Sequence, residues 1–426
     1  MKVTILASAV LAACAASAAP NPRPEPVLQL RAAGFNFGAQ KVRGVNAGGW
    51  LVLEPWITPS LWAYWNNNPG AGPVDEYHLC QRWGKVDCLR RLQRHWDTFM
   101  TQADFQKMAA RGLNTVRIPI GYWAFTLLPG DPYVQGQQAY LDRAIGWARS
   151  AGLKVWIDLH GAPGSQNGFD NSGLRDQINW QKGDTIGQTL GVLRQIASKY
   201  SKAPYSDTVV VIELLNEPLG PNLDFTKLRQ FYYDGFGNVR NYGSTWIAIS
   251  DAFKQVSQWN GILNSNTQKV LLDHHHYQVF SPGEVSRSFD QQISVACGAR
   301  TETQGSRDKY VVVGEWSGAM TDCAKWLNGF NRYARYEGRF PGSWWVGSCS
   351  GNHWGDLTKM SWTQKQNLRK YIEAQILSWE TAAGWIFWTW KAEGGNMNDD
   401  WNMSKLFDWG LIPRPGTTPK YPRICG

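Results

Sequence analysis

Runs of apolar, often β-branched residues alternate with amphipathic segments along most of the chain. The apolar runs predict buried strands at 43–46, 115–120, 154–160, 208–216, 246–250, 269–277, 310–316 and 385–390. The amphipathic segments predict helices between most of these strands, at 102–111, 137–150, 184–200, 225–241, 323–336 and 363–383. Gly112 and Gly152 follow two of the helices, where a helix end often requires a positive φ.

Eight strands with intervening helices predict an α/β fold whose parallel strands are buried on both faces. The count of eight favours closure into a single (β/α)₈ TIM barrel, with extended loops at its C-terminal face forming a pocket. An open, dinucleotide-binding sheet is disfavoured because no G-x-G-x-x-G follows a strand and opens a helix. We therefore expect one barrel domain, although a length of 426 residues would also suit about three small domains.

The first residues have the plan of a secretory signal peptide: one Lys, a short Ala-rich apolar stretch, and Ala-Ser-Ala at 16–18. We predict a signal peptide at 1–18, a flexible leader rich in Pro, Ala and Gly at 19–40, and the barrel domain at 41–426. The apolar stretch is shorter than the roughly 20 residues that a membrane span needs. The prediction is a protein secreted to the medium or the cell wall, with no role for a membrane.

Composition excludes a disordered chain, because 43% of the residues are hydrophobic and 18% are charged. The formal net charge of +9 would suit a nucleic-acid partner. No Lys/Arg cluster accompanies the strand-end residues described next, so we interpret the charge as general surface charge and expect no nucleic-acid partner. The 24 Trp residues fit a core and a surface that stack on flat, polar ligands.

Charged and polar residues stand at the carboxyl ends of six predicted strands. They include Arg117, Asp158, His160, Asn216, Glu217, Asp273, His275, Tyr277, Glu315 and Trp388. A buried, unpaired charge is costly, and TIM-barrel enzymes place their catalytic groups at this end of the strands. Glu217 and Glu315 end different strands, and two facing carboxyl groups are the machinery of glycoside hydrolysis. For either Glu alone, an ion pair with a neighbouring Arg or Lys is the structural alternative.

Several segments resemble fungal exo-β-1,3-glucanases of glycoside hydrolase family 5. They are 43–55, 115–125, 156–176, 212–221, 273–281 and 313–335, within a resemblance that runs from about 41 to 425. Its most specific motifs are LNEP and a later GEW, each closing a β-rich run. The resemblance implies that Glu217 is the general acid/base and Glu315 the nucleophile of a retaining enzyme. Their carboxyl groups should then lie about 5–5.5 Å apart.

The resemblance also implies residues that bind the sugar at the reaction centre. They are Arg117, His160, Asn216, His275, Tyr277 and Trp388, the last as a stacking platform. We expect Arg117 to hold Glu315 ionised, since a neighbouring cation lowers a carboxylate pKa. We expect apolar surroundings and the charge of Glu315 to keep Glu217 protonated. Asn216 is expected to bind the sugar 2-hydroxyl.

Four further residues resemble those that make the family's site a closed pocket. Glu54 and Asp170 match residues that hold the outer hydroxyls of the terminal glucose, and Phe169 and Phe280 match an aromatic clamp at the entrance. For Glu54 and the two Phe, packing is the structural alternative. The implied activity is release of glucose from the non-reducing ends of β-1,3-glucan, with transfer to acceptor sugars as an extension. An endo-acting or β-1,6-glucanase and a non-catalytic glucan-binding protein remain the alternatives.

Six cysteines remain after removal of Cys14 with the signal peptide, and three disulfides among six cysteines allow 15 connectivities. Their short separation pairs Cys80 with Cys88. The resemblance implies Cys297–Cys425 and Cys323–Cys349. The sequon at Asn402 predicts a glycosylated surface loop.

The run 274–276 of three His suggests a metal site, but adjacent strand residues point in opposite directions. We therefore expect no metal. The loop 161–168 lacks the Lys-Ser/Thr of a phosphate-binding P-loop, and Ser165 lies in no G-x-S-x-G elbow. We expect no cofactor, β-1,3-glucan polysaccharides and oligosaccharides as partners, and a monomer.

Overall fold

A closed barrel of eight parallel strands forms the centre of the molecule. In the computed structural model, residues 34–264 and 267–426 are described. The strands are β1 Val42–Asn46, β2 Thr115–Gly121, β3 Lys154–Gly161, β4 Val209–Glu213, β5 Trp246–Ser250, β6 Val270–His275, β7 Tyr310–Glu315 and β8 Gly384–Phe387. They pair in chain order, and β8 closes the barrel against β1. The predicted (β/α)₈ barrel is confirmed.

Helices connect the strands on the outside of the barrel. They are α1 Glu76–Thr98, α2 Gln102–Ala110, α3 Gln137–Ala151, α4 Thr185–Tyr200, α5 Phe225–Arg240, α6 Pro282–Val285, α7 Phe289–Gly298, α8 Arg300–Thr303, α9 Cys349–Asn352, α10 Trp362–Trp379 and α11 Met403–Asp408. Five of the six predicted helices are confirmed within a few residues. Gly112 and Gly152 have φ of 90° and 78°, as predicted for residues that follow a helix. The long helix α1 was not predicted, since Gly84 interrupts it with a φ of 72°.

The predicted helix at 323–336 is wrong, because this segment forms a series of turns. The Asp322 carboxylate accepts hydrogen bonds from the backbone N–H groups of Arg335 (2.6 Å) and Tyr336 (3.0 Å). The Cys323–Cys349 disulfide ties the start of the segment to α9. These contacts fold the segment back on itself, so its helical periodicity is overridden by tertiary contacts.

A cluster of apolar side chains fills the barrel at the N-terminal ends of its strands. It contains Phe35, Phe37, Val42, Trp156, Val210, Val211, Ala248, Leu271, Val312, Ala383 and Ile386. The Phe37 ring contacts Trp246 and Tyr310 at centroid distances of 4.7 and 6.4 Å. Phe35 and Phe37, within the expected flexible leader at 19–40, therefore pack on the barrel, and the domain boundary at residue 41 stays a prediction. The signal peptide (1–18) and residues 19–33 lie outside the described residues.

Three disulfides are present, Cys80–Cys88, Cys297–Cys425 and Cys323–Cys349. These are the pairs that spacing and resemblance had predicted. No helix among the described residues is both long and apolar enough to cross a membrane.

The expectation of a surface loop at Asn402 is wrong. Asn402 is 4% exposed and is the N-cap of α11, where its side-chain oxygen accepts from the backbone N–H of Lys405 at 3.0 Å. Its amide nitrogen donates to the carbonyl of Ala392. A side chain with both polar atoms bonded inside the protein is a structural cap, so nothing in its surroundings favours a glycan.

Candidate functional site

Glu217 and Glu315 meet at the C-terminal mouth of the barrel. Glu315 is the last residue of β7. Strand β4 ends at Glu213, earlier than the predicted 216, and the chain then turns so that Glu217 has a φ of 43°. A carboxylate oxygen of Glu217 lies within 4.8 Å of one of Glu315. This separation suits a retaining pair and is too short for the roughly 6.5–9.5 Å of an inverting pair.

Glu315 is held by two donors, one on β2 and one two residues after the end of β6. Arg117 Nη1 donates to its Oε1 at 3.0 Å, and the Tyr277 hydroxyl donates to its Oε2 at 2.9 Å. Burial raises the pKa of Glu315 above its ordinary value, although His275 and Arg117 oppose this shift. The sequence suggested that Arg117 would lower the pKa of Glu315 below its ordinary value. Arg117 instead only limits the rise in pKa that burial causes. Both donors fix the carboxylate in one orientation.

Glu217 is bonded to His275, whose Nδ1 lies 2.7 Å from its Oε1. Asn171 donates to its other oxygen at 3.2 Å. Burial raises the pKa of Glu217, but the hydrogen bond and charge of His275 outweigh burial and lower it overall. The expectation that its surroundings alone keep Glu217 protonated is therefore wrong. Glu217 and His275 are thus placed to share a proton.

A buried network of charges lies directly beneath the two glutamates. Arg117 is fully buried and donates from Nε to Glu213 at 2.9 Å and from Nη2 to Asn216 at 2.8 Å. Asp158 and Asp273, also fully buried, lie 3.2 and 3.6 Å from the same guanidinium. One arginine thus links the ends of β2, β3, β4, β6 and β7, which fixes their relative positions.

His160 and Trp388 form a stacked pair at the mouth, with ring centroids 5.5 Å apart and planes 9° from parallel. His160 Nδ1 lies 2.6 Å from Asp158, which orients the ring. Its Nε2 is buried without a hydrogen-bond partner among the described residues. This free nitrogen is available to a ligand hydroxyl.

A cavity of about 320 Å³ opens above these residues. It is lined by eight predicted site residues: Glu54, Phe169, Asp170, Glu217, Tyr277, Phe280, Glu315 and Trp388. The other predicted residues, Arg117, His160, Asn216 and His275, contact these from behind the cavity wall or through the buried network. Together they form one continuous polar and aromatic site.

Two more acids, in addition to Glu217 and Glu315, line the cavity. Glu54 accepts from the indole of Trp56 at 2.8 Å, and burial followed by the nearby Asp170 raises its pKa well above the ordinary value. Burial likewise raises the pKa of Asp170 to about 7, although Arg175 opposes this. One buried oxygen of Asp170 has no hydrogen-bond partner in the described part of the chain. Both groups can therefore donate to or accept from sugar hydroxyls.

Aromatic rings form the entrance of the cavity. Phe169 and Phe280 are 40% and 42% exposed. Phe253, which the sequence analysis missed, contacts Phe169 edge-on at 6.2 Å, and Phe280 contacts Tyr277 at 5.4 Å. Half-exposed rings at a cavity mouth provide flat faces on which a sugar ring can stack.

The sequence analysis also missed other residues of the cavity wall. They are Trp56, Asn171, Arg175, Leu327, Asn328, Arg332, Arg335, Phe340 and Trp401. Trp56 and Asn171 adjoin the predicted Glu54 and Asp170, so their positions offered a signal. The group from 327 to 340 was missed because the segment was expected to be a helix, although the Cys323–Cys349 pairing already indicated a loop.

Strand β6 shows the predicted alternation of its His residues. His275 points towards Glu217 and Glu315, whereas His274 pairs with Asp251 at 2.5 Å and His276 contacts Trp379 on the other face. Among the described residues, Glu217, His275 and Glu315 form a set whose potential ligand atoms all lie within 4.8 Å of one another. Because the His275 nitrogen already bonds Glu217, we interpret this set as a proton-sharing group, and the expectation of no metal stays a prediction.

Residues 83–346 match the family model described as Cellulase (glycosyl hydrolase family 5). A glucan 1,3-beta-glucosidase from Blumeria graminis is 49% identical over 403 residues, covering 94% of this chain and 93% of that protein. Another from Yarrowia lipolytica is 46% identical and covers 100% of both chains. The solved structure of a rutinosidase from Aspergillus niger aligns with a TM-score of 0.70 at 20% identity, over 89% of this chain and 99% of that one. The last similarity is one of fold.

Proposed function

This chain belongs to glycosyl hydrolase family 5, and from that premise we propose that it is a retaining exo-β-1,3-glucanase. It releases glucose from the non-reducing ends of β-1,3-glucans. The observation that carries the proposal is the pair of carboxylate oxygens, one from Glu217 and one from Glu315, within 4.8 Å at the floor of a 320 Å³ cavity. The names of the relatives support the β-1,3 linkage.

The reaction proceeds in two displacements. In the first, the Glu315 carboxylate attacks the anomeric carbon while Glu217 gives its proton to the departing glycosidic oxygen, forming a glycosyl–enzyme ester. In the second, the Glu217 carboxylate takes a proton from water, whose oxygen attacks the anomeric carbon and releases Glu315. An acceptor sugar hydroxyl in place of water gives transglycosylation. Arg117 and Tyr277 hold the nucleophile in place through both steps.

The walls of the cavity support exo action. Glu54 and Asp170 offer hydrogen bonds to the hydroxyls of a terminal glucose, and Phe169 and Phe280 offer rings to the next sugar. A volume of about 320 Å³ suits a few sugar units rather than a long chain.

Secretion is supported by the signal-like N-terminus and the three disulfides. We propose a monomer acting on wall or soluble glucan.

Digestion of laminarin tests the proposal, with product sizes followed over time and anomeric configuration followed by proton NMR. We expect glucose as the first product, released as the β anomer. Early larger oligosaccharides would indicate endo action, an α anomer would exclude retention, and faster cleavage of a β-1,6-glucan would indicate the other linkage. Glu315→Gln is the matched control for contaminating activity. An unchanged rate in that variant would show that this site does not catalyse the hydrolysis. It would favour the alternative of a non-catalytic glucan-binding protein.

A further inference from the structure

We propose that Asp273 is a positioning residue for the acid/base pair: its negative charge holds His275 as an imidazolium against Glu217, so that the pair keeps one proton for the leaving group. The inference rests on the proposed function and adds a third member to its proton chemistry.

Three side chains form a continuous row from the buried network to the cavity. Asp273 Oδ2 lies 3.3 Å from His275 Nε2, and His275 Nδ1 lies 2.7 Å from Glu217 Oε1. Asp273 and His275 are two residues apart on β6 and therefore share its interior face. An imidazole with a carboxylate at each nitrogen can donate to both only when both nitrogens carry protons.

The charged groups facing His275 favour that doubly protonated form. Glu315 Oε2 lies 3.6 Å from the same Nδ1, so acidic groups from β6, β7 and the end of β4 surround the ring. The nearby cation is Arg117 on β2, which is already shared among several carboxylates, and His160 on β3 is the other imidazole beside the two glutamates. Although burial lowers the pKa of His275, Glu315 and Asp273 raise it well above its ordinary value.

Glu213 is a second buried acid near Asp273, and the surroundings of the two indicate that Asp273 carries the negative charge. Glu213 Oε1 and Asp273 Oδ1 are both buried without a conventional donor. Two buried carboxyl groups beside one arginine disfavour each other's ionisation, so one of the two should hold a proton. Burial raises the pKa of Glu213 well above its ordinary value, whereas His275 and Arg117 lower that of Asp273 despite its burial. We therefore assign the proton to Glu213 and the negative charge to Asp273.

Close packing keeps Asp273 in place. A Cβ added to Gly314, on the adjacent strand β7, would lie only 1.9 Å from Asp273 Oδ1. Glycine immediately before the nucleophile Glu315 thus makes room for the Asp273 carboxylate.

The proton balance of the reaction is simple. When substrate places its glycosidic oxygen beside Glu217, the proton on His275 Nδ1 moves to Glu217 Oε1 and from there to the leaving oxygen. In the second displacement Glu217 takes one proton from water, which restores the original count. Asp273 stays ionised throughout, and its charge sets the pH at which the pair loses the proton.

The test compares Asp273→Asn with Glu213→Gln through the pH dependence of kcat/KM on laminarin, which reports ionisations of the free enzyme. Removing the charge of Asp273 should move the alkaline limb to lower pH by about one unit or more. Gln resembles a protonated Glu213, and its oxygen can accept from Arg117 and Trp156. The limb of Glu213→Gln should therefore stay in place. An unmoved limb in Asp273→Asn, or an equal shift in both variants, overturns the proposal.

Nitrogen-15 NMR of histidine-labelled wild-type protein provides a measurement that requires neither a substitution at Asp273 nor enzymatic activity. The His275 signal, assigned by its loss in His275→Asn, should remain that of an imidazolium at pH 8. A neutral ring at pH 7 overturns the inference. If the wild type releases no glucose from laminarin, the proposed function fails on its own, and the NMR titration still decides whether His275 holds the proton.

Discussion

The two ends of the barrel interior are built from the same strands but from opposite chemistry. On three strands, the side chains that face the barrel interior change from apolar to acidic between one interior position and the next, two residues further along the strand. These steps are Trp156 to Asp158 on β3, Val211 to Glu213 on β4, and Leu271 to Asp273 on β6. The boundary is sharp, since the indole of Trp156 donates to Glu213 at 3.0 Å. The apolar half stabilises the fold, and the acidic half supplies the chemistry.

The difference lies in what burial contributes at each end. At the N-terminal end, Phe35 and Phe37 cover an apolar cluster, and each buried apolar Å² contributes roughly 25 cal/mol. At the C-terminal end, one Arg is surrounded by four buried carboxyl groups, a set that one cation cannot neutralise. Such a network lowers the stability of the fold. Its presence at the C-terminal end of the barrel alone therefore indicates that these residues are maintained for catalysis.

The largest expected effect concerns Glu315 and tests whether the charged end of the barrel is maintained for catalysis at a cost in stability. Glu315→Gln should lower kcat on laminarin on the order of 10⁴-fold or more, because the attacking carboxylate is lost. The same change should leave the melting temperature unchanged or higher, since the raised pKa of Glu315 means that its ionised form is poorly accommodated. Activity and thermal unfolding measured on one preparation check both halves. A clear drop in melting temperature would contradict the view that this end of the barrel lowers stability.

Most of the barrel was predictable because buried parallel strands are continuous apolar runs. The runs around 115, 154 and 246 began at the residues where β2, β3 and β5 begin. The strand-end acids were predictable for the same reason, since Glu217 and Glu315 interrupt a pattern that is otherwise apolar. Their pairing across the mouth follows from the topology alone.

The remainder depends on tertiary contacts that a local pattern does not contain. Phe35 and Phe37 lie in a Gly/Ala-rich stretch, and only the open end of the barrel makes them core residues. Arg332 and Phe340 reach the cavity because Asp322 and a disulfide refold a segment with helical periodicity. The direction of the Glu217 pKa shift depends on one contact with His275, from a strand 58 residues later.

The second prediction concerns the apolar end. Phe37→Ala should destabilise the protein by about 3–5 kcal/mol, because a 4% exposed ring with three aromatic neighbours leaves a cavity. It should leave kcat/KM on laminarin within about twofold, since the change lies at the opposite end from the catalytic pair. Denaturant unfolding and kinetics at a temperature where both proteins are folded give the two values.

Phe253→Ala is the matched control at the other end. Its ring is 46% exposed at the cavity mouth, so the free energy of unfolding should change by less than about 0.5 kcal/mol. A reversed pattern, with Phe253 setting stability and Phe37 setting activity, would remove the distinction between the two ends.

The smallest effect concerns a single acid of the cavity. Burial raises the folded-state pKa of Asp170 to about 7, against an ordinary value of 3.8. Between these values the unfolded chain ionises while the folded protein holds the proton. Stability from this group is therefore present below about pH 4 and is lost as pH rises to about 7, at up to about 1.4 kcal/mol per pH unit.

Asp170→Asn removes this pH dependence. The variant should match the wild type in melting temperature at pH 4 and exceed it by a few degrees at pH 8, while binding glucose less well because one oxygen acceptor becomes a donor. Scanning calorimetry at the two pH values measures the difference, with the exposed Asp234→Asn on α5 as the control. A gap that is equal at both pH values would mean that the Asp170 carboxylate is not disfavoured by the fold. The acidic end would then lower stability only through the network around Arg117.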